Sequence, residues 1–239
     1  MADGPVGNLK KVAIIPARGG SKRLPNKNII DFMGKPLIAH TIEAALKSDL
    51  FDRVMVSTDS EVIAKIAREY GATVPFLRDQ YAGEHATVSE AIVYSLQQLF
   101  EKKQEKYDLV FQLMPNCPLR DANDLIHAYQ HFMEHKLAFQ ISVFEYGWMN
   151  PWWAISVSGG QPHMLFAEAL KKRSQDLEKL YCPTGAIWVA KTIDLLRHKN
   201  FYGPGYGICV LDWQSAVDID EAADLEMAKA VYLLKHGKI

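Results

Sequence analysis

Residues 16–28, PARGGSKRLPNKN, form a glycine-containing basic segment with the residue types needed to hold a polyphosphate. Gly19 and Gly20 allow a tight turn that presents backbone N–H groups to an anion. Four positive side chains surround the two glycines: Arg18, Lys22, Arg23 and Lys27. The spacing matches neither a Walker A loop nor a GxGxxG fingerprint, so by itself the segment also fits a surface turn with solvated charges.

Two carboxylates near the C-terminus, Asp218 and Asp220, have the spacing of a metal-binding pair. They flank Ile219 in an extended stretch, where residues two apart point to the same side. Both can therefore converge on one hard cation such as Mg²⁺, which typically takes one or two carboxylates together with phosphate oxygens and waters. A D-x-D pair alone is weak evidence, because Asp220 precedes a helical pattern and a carboxylate there can instead cap the helix.

The elements that must position these groups alternate between strand and helix patterns. Short apolar runs predict strands at 11–16, 53–57, 108–113 and about 139–143. Helical spacing of apolar residues predicts helices at 36–47, 61–70, 88–99, 121–134 and 221–234. Thr58 and Asp59 are the expected caps of the helix that begins at Glu61. The alternation predicts parallel βαβ units in a doubly wound α/β sheet, where ligands lie beyond the carboxyl ends of the strands.

The pattern changes after residue 144. A cluster of three tryptophans, Trp148, Trp152 and Trp153, is followed by a Gly-Gly turn at 159–160 that predicts a hairpin. Residues of about 145–185 therefore form an insertion with antiparallel character. The tryptophans fit either an interface anchor or ordinary core.

Composition excludes several classes of protein. The 239 residues carry 27 Lys plus Arg against 28 Asp plus Glu, a formal net charge of −1, which excludes nucleic-acid binding through bulk positive charge. No apolar run approaches the roughly 18 to 20 residues that cross a bilayer, and the polar N-terminus lacks a secretory pattern, so we expect no membrane partner. Three separated cysteines predict neither disulfides nor a cysteine zinc site, and we expect a cytoplasmic protein.

Residues 14–30, IIPARGGSKRLPNKNII, resemble the signature loop of the CMP-sialic acid synthetase family, the cytidylyltransferases that act on nonulosonic acids. The likeness continues to about residue 232. Further ordered matches are FDRVMVSTDS at 51–60, Leu77-Arg78 with Ser89, PNCPLR at 115–120, RSQDLE at 173–178, GAI at 185–187 and VDID at 217–220.

The resemblance and the alternating pattern together imply one Rossmann-like domain of the nucleotide-diphospho-sugar transferase type. Residues 11–239 are expected to form this domain around a mainly parallel sheet, after a flexible N-terminal tail at 1–10. Within the domain, the insertion of about 145–185 is expected to serve dimerisation and sugar binding.

The resemblance also implies which residues bind CTP. The basic segment and two later positions supply them: Ala17, Arg18, Gly19, Lys22, Lys27, Asn28, Arg78 and Ser89. One departure concerns the base, because many relatives have Gln before the proline of PTSPLR, where it contacts cytosine, and this chain has Met114. Either Gln112, which strand alternation places on the same face, or backbone groups would then read the base. The Thr-Ser of that motif is replaced by Asn116 and Cys117.

Arg173 and Gln175 match the sugar-acid side of the family site. A guanidinium suits a substrate carboxylate because it can bind both oxygens, although Arg173 also fits a surface residue paired with Asp176 or Glu178. In the family the insertion mediates a homodimer that completes the neighbouring site. The resemblance therefore favours the interface interpretation of the tryptophans and predicts a homodimer.

The implied reaction joins CTP to a nine-carbon 2-keto sugar acid, whose anomeric hydroxyl attacks the α-phosphorus and releases pyrophosphate. Asp218 and Asp220 are implied to hold the Mg²⁺ cofactor, and Arg18 and Lys22 to stabilise the leaving group. The sugar stays open among sialic, legionaminic and pseudaminic acid, because RSQDLE resembles pseudaminate enzymes and GAIW is closer to the other two. The rival interpretations are a CMP-Kdo synthetase or other sugar nucleotidyltransferase, and a non-catalytic nucleotide-binding regulator.

Overall fold

The computed structural model describes residues 9–81, 83 and 86–237. The expected flexible tail lies outside these residues except for Leu9 and Lys10, and Lys10 donates its backbone N–H to Oδ2 of Asp108 at 2.8 Å. The described strands are β1 (Lys11–Pro16), β2 (Asp31–Phe32), β3 (Lys35–Pro36), β4 (Arg53–Ser57), β5 (Leu109–Gln112), β6 (Phe139–Glu145), β7 (Ile155–Ser158), β8 (Gln161–Met164), β9 (Tyr181–Lys191) and β10 (Gly207–Val210). The described α-helices are α1 (Leu37–Lys47), α2 (Glu61–Glu69), α3 (Val88–Lys103), α4 (Ala122–Glu134), α5 (Thr192–His198) and α6 (Ala222–Lys235).

A six-stranded sheet in the order β10-β6-β9-β5-β1-β4 forms the centre of the molecule. β1 pairs in parallel with both β4 and β5, and β10 pairs in parallel with β6. β9 runs antiparallel to both of its neighbours, β5 and β6. The predicted mainly parallel sheet is thus confirmed, with one reversed strand that returns from the insertion.

Helices cover both faces of this sheet, as the alternation of side chains along β1 shows. Ala13 and Ile15 pack on one face with apolar residues of α1, α2 and α4. Val12 and Ile14 point to the opposite face and pack with apolar residues of α3 and Leu195 of α5. Since successive strand residues point to opposite faces, the unbroken apolar run at 12–16 is what a sheet covered on both sides requires.

The expected caps of α2 are wrong. Ser60 is the N-cap, and its Oγ accepts from the backbone N–H of Ile63 at 3.4 Å. Thr58 Oγ1 instead accepts from the N–H of Ser60 at 3.1 Å, and Asp59 Oδ1 accepts from the N–H of Gly19 at 2.8 Å. The reason is that a donor 40 positions away in the basic segment takes the carboxylate that local spacing assigned to the helix.

The predicted hairpin is present, with β7 and β8 paired antiparallel around Gly159 and Gly160. Trp152 is half-buried and donates its indole N–H to the carbonyl of Glu178 at 2.9 Å. Trp148 is 87% exposed, so ordinary core is the wrong interpretation for this side chain. Across the part of the chain that the structure describes, no helix is long and apolar enough to span a membrane.

Candidate active site

A cavity of about 270 Å³ opens where the segments after β1 and β5 meet. It lies at the carboxyl ends of parallel strands, where ligands bind in sheets of this kind. Its polar lining comes from the basic segment, from the residues before α3, from the segment after β5 and from the segment before α6. The polar and aromatic side chains that line it are Arg18, Ser21, Lys22, Arg23, Lys27, Asn28, Arg78, Tyr81, Thr87, Asn116 and Asp220.

Internal hydrogen bonds fix the basic segment to the end of β4. The N–H of Ala17 donates to the carbonyl of Ser57 at 2.9 Å, and the side chain of Asn28 donates to the carbonyl of Arg18 at 2.9 Å. A Cβ at Gly19 would lie 3.1 Å from Cβ of Ser60, so this close approach favours glycine. Ala17 and Gly19 are not part of the cavity lining, and both donate their N–H groups within the protein. These two residues shape the segment, whereas its side chains face the cavity.

Asp220 connects the C-terminal carboxylate pair to the basic segment. Lys27 Nζ donates to Asp220 Oδ1 at 2.7 Å across 193 positions of sequence, and Arg23 donates to Oδ2 of the same carboxylate. Burial by itself would raise the pKa of Asp220, but the hydrogen bonds and charges of Lys27 and Arg23 lower it below the ordinary value. The structure thus brings together the two features that the sequence predicted separately.

Asp218 lies beside Asp220 and differs from it electrostatically. Asp218 is exposed, but enough protein surrounds its carboxyl group to desolvate it. This desolvation and, second, the negative charge of Asp220 raise the pKa of Asp218 to about 6. The side-chain amide of Asn116 donates to Oδ1 of Asp218 and, at 3.4 Å, to Oδ1 of Asp220. Sequence reasoning gave Asn116 no role, although its position just after β5 could have suggested one.

The two carboxylates fit a divalent cation that is shared with a phosphate group. Both contact one amide nitrogen, so their oxygens converge as the D-x-D spacing predicted. Among residues 9–81, 83 and 86–237, no group of three or more His, Cys, Asp or Glu could hold a metal ion. Two convergent carboxylates suit Mg²⁺, which accepts one or two carboxylates and takes its other ligands from phosphates and water.

Arg78 and Ser89, which the resemblance assigned to the nucleotide, lie in different surroundings. Arg78 lines the cavity and is buried, and its Nη1 donates to the carbonyl of Ser57 at 3.3 Å while its Nε has no partner. Burial lowers the pKa of Arg78. Ser89 is buried outside the cavity lining, and its Oγ accepts from the N–H of Phe201 at 3.4 Å. Of these two residues, only Arg78 is therefore available to a ligand in the cavity.

Gln112 does not reach the cavity, although Met114 does line it. The Gln112 amide is fully buried and donates to the carbonyl of Gly185 at 3.1 Å. The backbone of Met114 is also engaged, since its N–H donates to Gly185 and its carbonyl accepts from Arg120 at 3.1 Å. Gln112 is therefore not available to a base in the cavity, and the Met114 backbone is engaged within the protein.

Arg173 and Gln175 also lie outside the cavity lining. The Arg173 side chain is 74% exposed, and its Nε donates to Oδ2 of Asp176 at 2.8 Å. Gln175 is exposed and accepts from the hydroxyl of Ser174 at 3.4 Å. The surface pairing that the sequence left open for Arg173 is the arrangement observed in this single chain.

A doubly wound sheet with a basic cavity and a carboxylate pair at its carboxyl edge defines a nucleotidyltransferase of the Rossmann-like class. Comparison with known families identifies the group within this class. The family model for cytidylyltransferases matches residues 12–147, more than half of the chain. The chain belongs to the cytidylyltransferase family.

Curated relatives cover nearly the whole chain. A pseudaminic acid cytidylyltransferase of Campylobacter jejuni (strain 81-176) is 38% identical over 230 residues, which is 95% of this chain and 98% of that protein. A CMP-N,N'-diacetyllegionaminic acid synthase of Legionella pneumophila (strain Philadelphia 1) is 35% identical over 228 residues, 90% of this chain and 93% of that protein. The solved structure of a CMP:2-keto-3-deoxy-manno-octonic acid synthetase complexed with CTP superimposes with a TM-score of 0.70. The match covers 95% of this chain and 99% of the synthetase chain. At 18% identity it supports the fold alone.

Proposed function

We propose that this cytidylyltransferase activates a nonulosonic acid with CTP, and that pseudaminic acid is the first substrate to test. The observation that carries the proposal is the contact of Lys27 and Arg23 with Asp220 at the cavity. This contact joins the segment proposed to bind phosphate to a carboxylate proposed to bind the metal, which is the combination that nucleotidyl transfer needs. The names and full-length coverage of the two curated relatives support the sugar class.

In the proposed reaction the anomeric hydroxyl of the sugar acid attacks the α-phosphorus of CTP. A bond forms between the sugar oxygen and this phosphorus, the hydroxyl proton is released to solvent, the bond to the bridging oxygen of the β-phosphate breaks, and pyrophosphate leaves. Arg18, Lys22 and Lys27 bind the triphosphate and stabilise the charge that develops on the leaving group. Asn28 holds the carbonyl of Arg18, and Arg78 is the buried cation that faces the nucleotide.

Asp218 and Asp220 are proposed to hold Mg²⁺. When bound, the cation neutralises charge on the phosphate oxygens and favours ionisation of the attacking hydroxyl. Asp220 already lies at the cavity next to Lys27, so the chain needs little rearrangement to bring a phosphate, a lysine and a carboxylate together.

Arg173 and Gln175 are proposed to recognise the sugar acid in a homodimer, in which the insertion of one copy completes the site of the other. Exposed apolar side chains of the insertion support an interface: Trp148, Met149, Ile155, Val157 and Leu165. Light scattering of the purified chain tests the assembly, and a monomeric mass at working concentration would contradict it. The cytoplasm is the proposed compartment, in keeping with three free cysteines.

A pyrophosphate-release assay tests the function with CTP, Mg²⁺ and a panel of pseudaminic, legionaminic and sialic acids and Kdo. We expect turnover with CTP and a nine-carbon acid, and identification of the CMP-sugar by mass spectrometry. Equal turnover with UTP would contradict the cytidine assignment. Nucleotide binding without turnover of any acid would instead support a regulator.

A further inference from the structure

Asn116 makes three hydrogen bonds to residues 218–220, the segment that carries the two carboxylates. Its side-chain amide donates to Oδ1 of Asp218 and, at 3.4 Å, to Oδ1 of Asp220. Its backbone carbonyl accepts from the N–H of Ile219, the residue between them, at 2.9 Å. One residue after β5 therefore fixes both the backbone and the side chains of a segment about one hundred positions away.

The surroundings of Asn116 determine which way its amide points. The residue is 3% exposed, so its side chain cannot turn out into water. The opposite orientation would direct Oδ1 at two carboxylates, and these oxygens would repel each other. In the observed orientation Oδ1 is buried without a hydrogen-bond partner. Buried polar atoms without partners are rare in folded proteins, and each one calls for an explanation such as a functional role.

The basic side chains do not make the same connection. Lys27 and Arg23 each contact Asp220, and no contact of either with Asp218 is as close as a hydrogen bond. Both lie on the segment that is proposed to bind the triphosphate, so neither serves the carboxylates alone. Asn116 lies on the sheet side of the cavity and contacts both carboxylates at once.

We propose that Asn116 is a positioning residue that holds Asp218 and Asp220 at the separation needed to share one divalent cation. The proposal deepens the function proposed above and rests on it for the identity of the ligands. Groups that hydrogen-bond to metal ligands orient them, and their loss commonly reduces metal affinity by roughly 10- to 100-fold. Asn116 would thus act through the two carboxylates without being a ligand itself.

The test compares three variants of the full chain: Asn116→Ala, Asn116→Asp and Asn116→Thr. The alanine variant removes the amide, the aspartate variant replaces its donor by a charged acceptor of the same shape, and the threonine variant keeps one hydroxyl donor. Asn123→Asp and Asn123→Ala are matched controls, because Asn123 is exposed at the start of α4. Mn²⁺ binding is measured by electron paramagnetic resonance with saturating CTP and no sugar acid.

We expect Asn116→Ala to weaken Mn²⁺ binding by at least about tenfold and to raise the half-saturating Mg²⁺ concentration for turnover by a similar factor. CTP affinity measured in EDTA should stay within about threefold of the native value. Asn116→Asp should lose more affinity and Asn116→Thr less, while both Asn123 variants should bind Mn²⁺ as the native chain does.

Native Mn²⁺ affinity in Asn116→Ala would overturn the proposal, and so would tighter binding in Asn116→Asp, because position 116 would then itself supply a ligand. If the alanine variant fails to fold by circular dichroism, Asn116→Asp decides, because weaker Mn²⁺ binding in it supports the proposal and native or tighter binding overturns it. Weakened Mn²⁺ binding in a chain that turns over no sugar acid would leave this inference standing and remove the proposed function instead.

Discussion

Lys27 and Arg173 are the cations proposed to hold the two substrates, and the structure surrounds them differently. The Lys27 side chain is 15% exposed and reaches a carboxylate 193 positions away. The Arg173 side chain is 74% exposed and pairs with Asp176, only three positions away. The first cation is held by contacts between distant parts of the fold, whereas the second is held by its own short segment.

The comparison indicates how each end of the site becomes ordered. A half-buried ion pair between distant segments can exist only in the folded chain, so the nucleotide end is organised before substrate arrives. A surface ion pair contributes only about 0 to 1 kcal/mol and can exchange for a substrate carboxylate at little cost. If Arg173 binds the sugar acid as proposed, a second component, such as the substrate or another copy of the chain, must bring it to the reacting atoms.

The largest expected effect is at Asp220. We expect Asp220→Asn to lower kcat/KM by roughly 100-fold, because it weakens a proposed metal ligand and also the contacts of Lys27 and Arg23. Steady-state kinetics over a range of Mg²⁺ concentrations measure the loss. Glu226→Gln, which removes an exposed acid on α6, is the control and should be near native. A near-normal rate at saturating Mg²⁺ would exclude Asp220 from the reaction.

Lys27→Met tests the nucleotide side. We expect the KM for CTP to rise about tenfold or more, since a charge-assisted hydrogen bond contributes roughly 1.5 to 3 kcal/mol. The KM for the sugar acid should change little. Lys47→Met removes an exposed lysine of α1 and serves as the matched control. Equal effects of the two variants on the KM for CTP would show that Lys27 does not bind CTP.

Arg173→Gln tests the sugar-acid side. The KM for the sugar acid should rise about tenfold and the KM for CTP should not change, because the guanidinium contacts no residue of the cavity in the single chain. Lys171→Gln removes another exposed cation paired three positions away and is the control. If both variants behave alike, Arg173 is only a surface residue.

The smallest expected effect is on stability. Asp176→Asn removes the surface partner of Arg173 and should change the free energy of unfolding by less than about 1 kcal/mol, measured by urea denaturation. A larger loss would mean that this segment is organised by its ion pair, and the contrast with Lys27 would then disappear.

Much of the fold could be predicted from periodicity alone. Strands β1 and β4 begin and end at the predicted residues, and the hairpin turns at the predicted glycines. The antiparallel course of β9 was not predicted, because an apolar strand pattern carries no direction. Gln112 shows the same limit within the site. Strand alternation predicts that Gln112 shares a face with Met114, yet the Gln112 amide donates to the carbonyl of Gly185 and only Met114 lines the cavity.

The sequence by itself determined the basic segment, the spacing of Asp218 and Asp220 and the strands that carry them to one edge. These features follow from neighbouring residues, whose contacts are set by local backbone geometry. Only the tertiary structure decided that Lys27 meets Asp220, that Asn116 contacts both carboxylates, and that Ser89 stays outside the cavity. Those contacts join residues about 100 to 190 positions apart, and they depend on strand order and packing, which residue spacing does not specify.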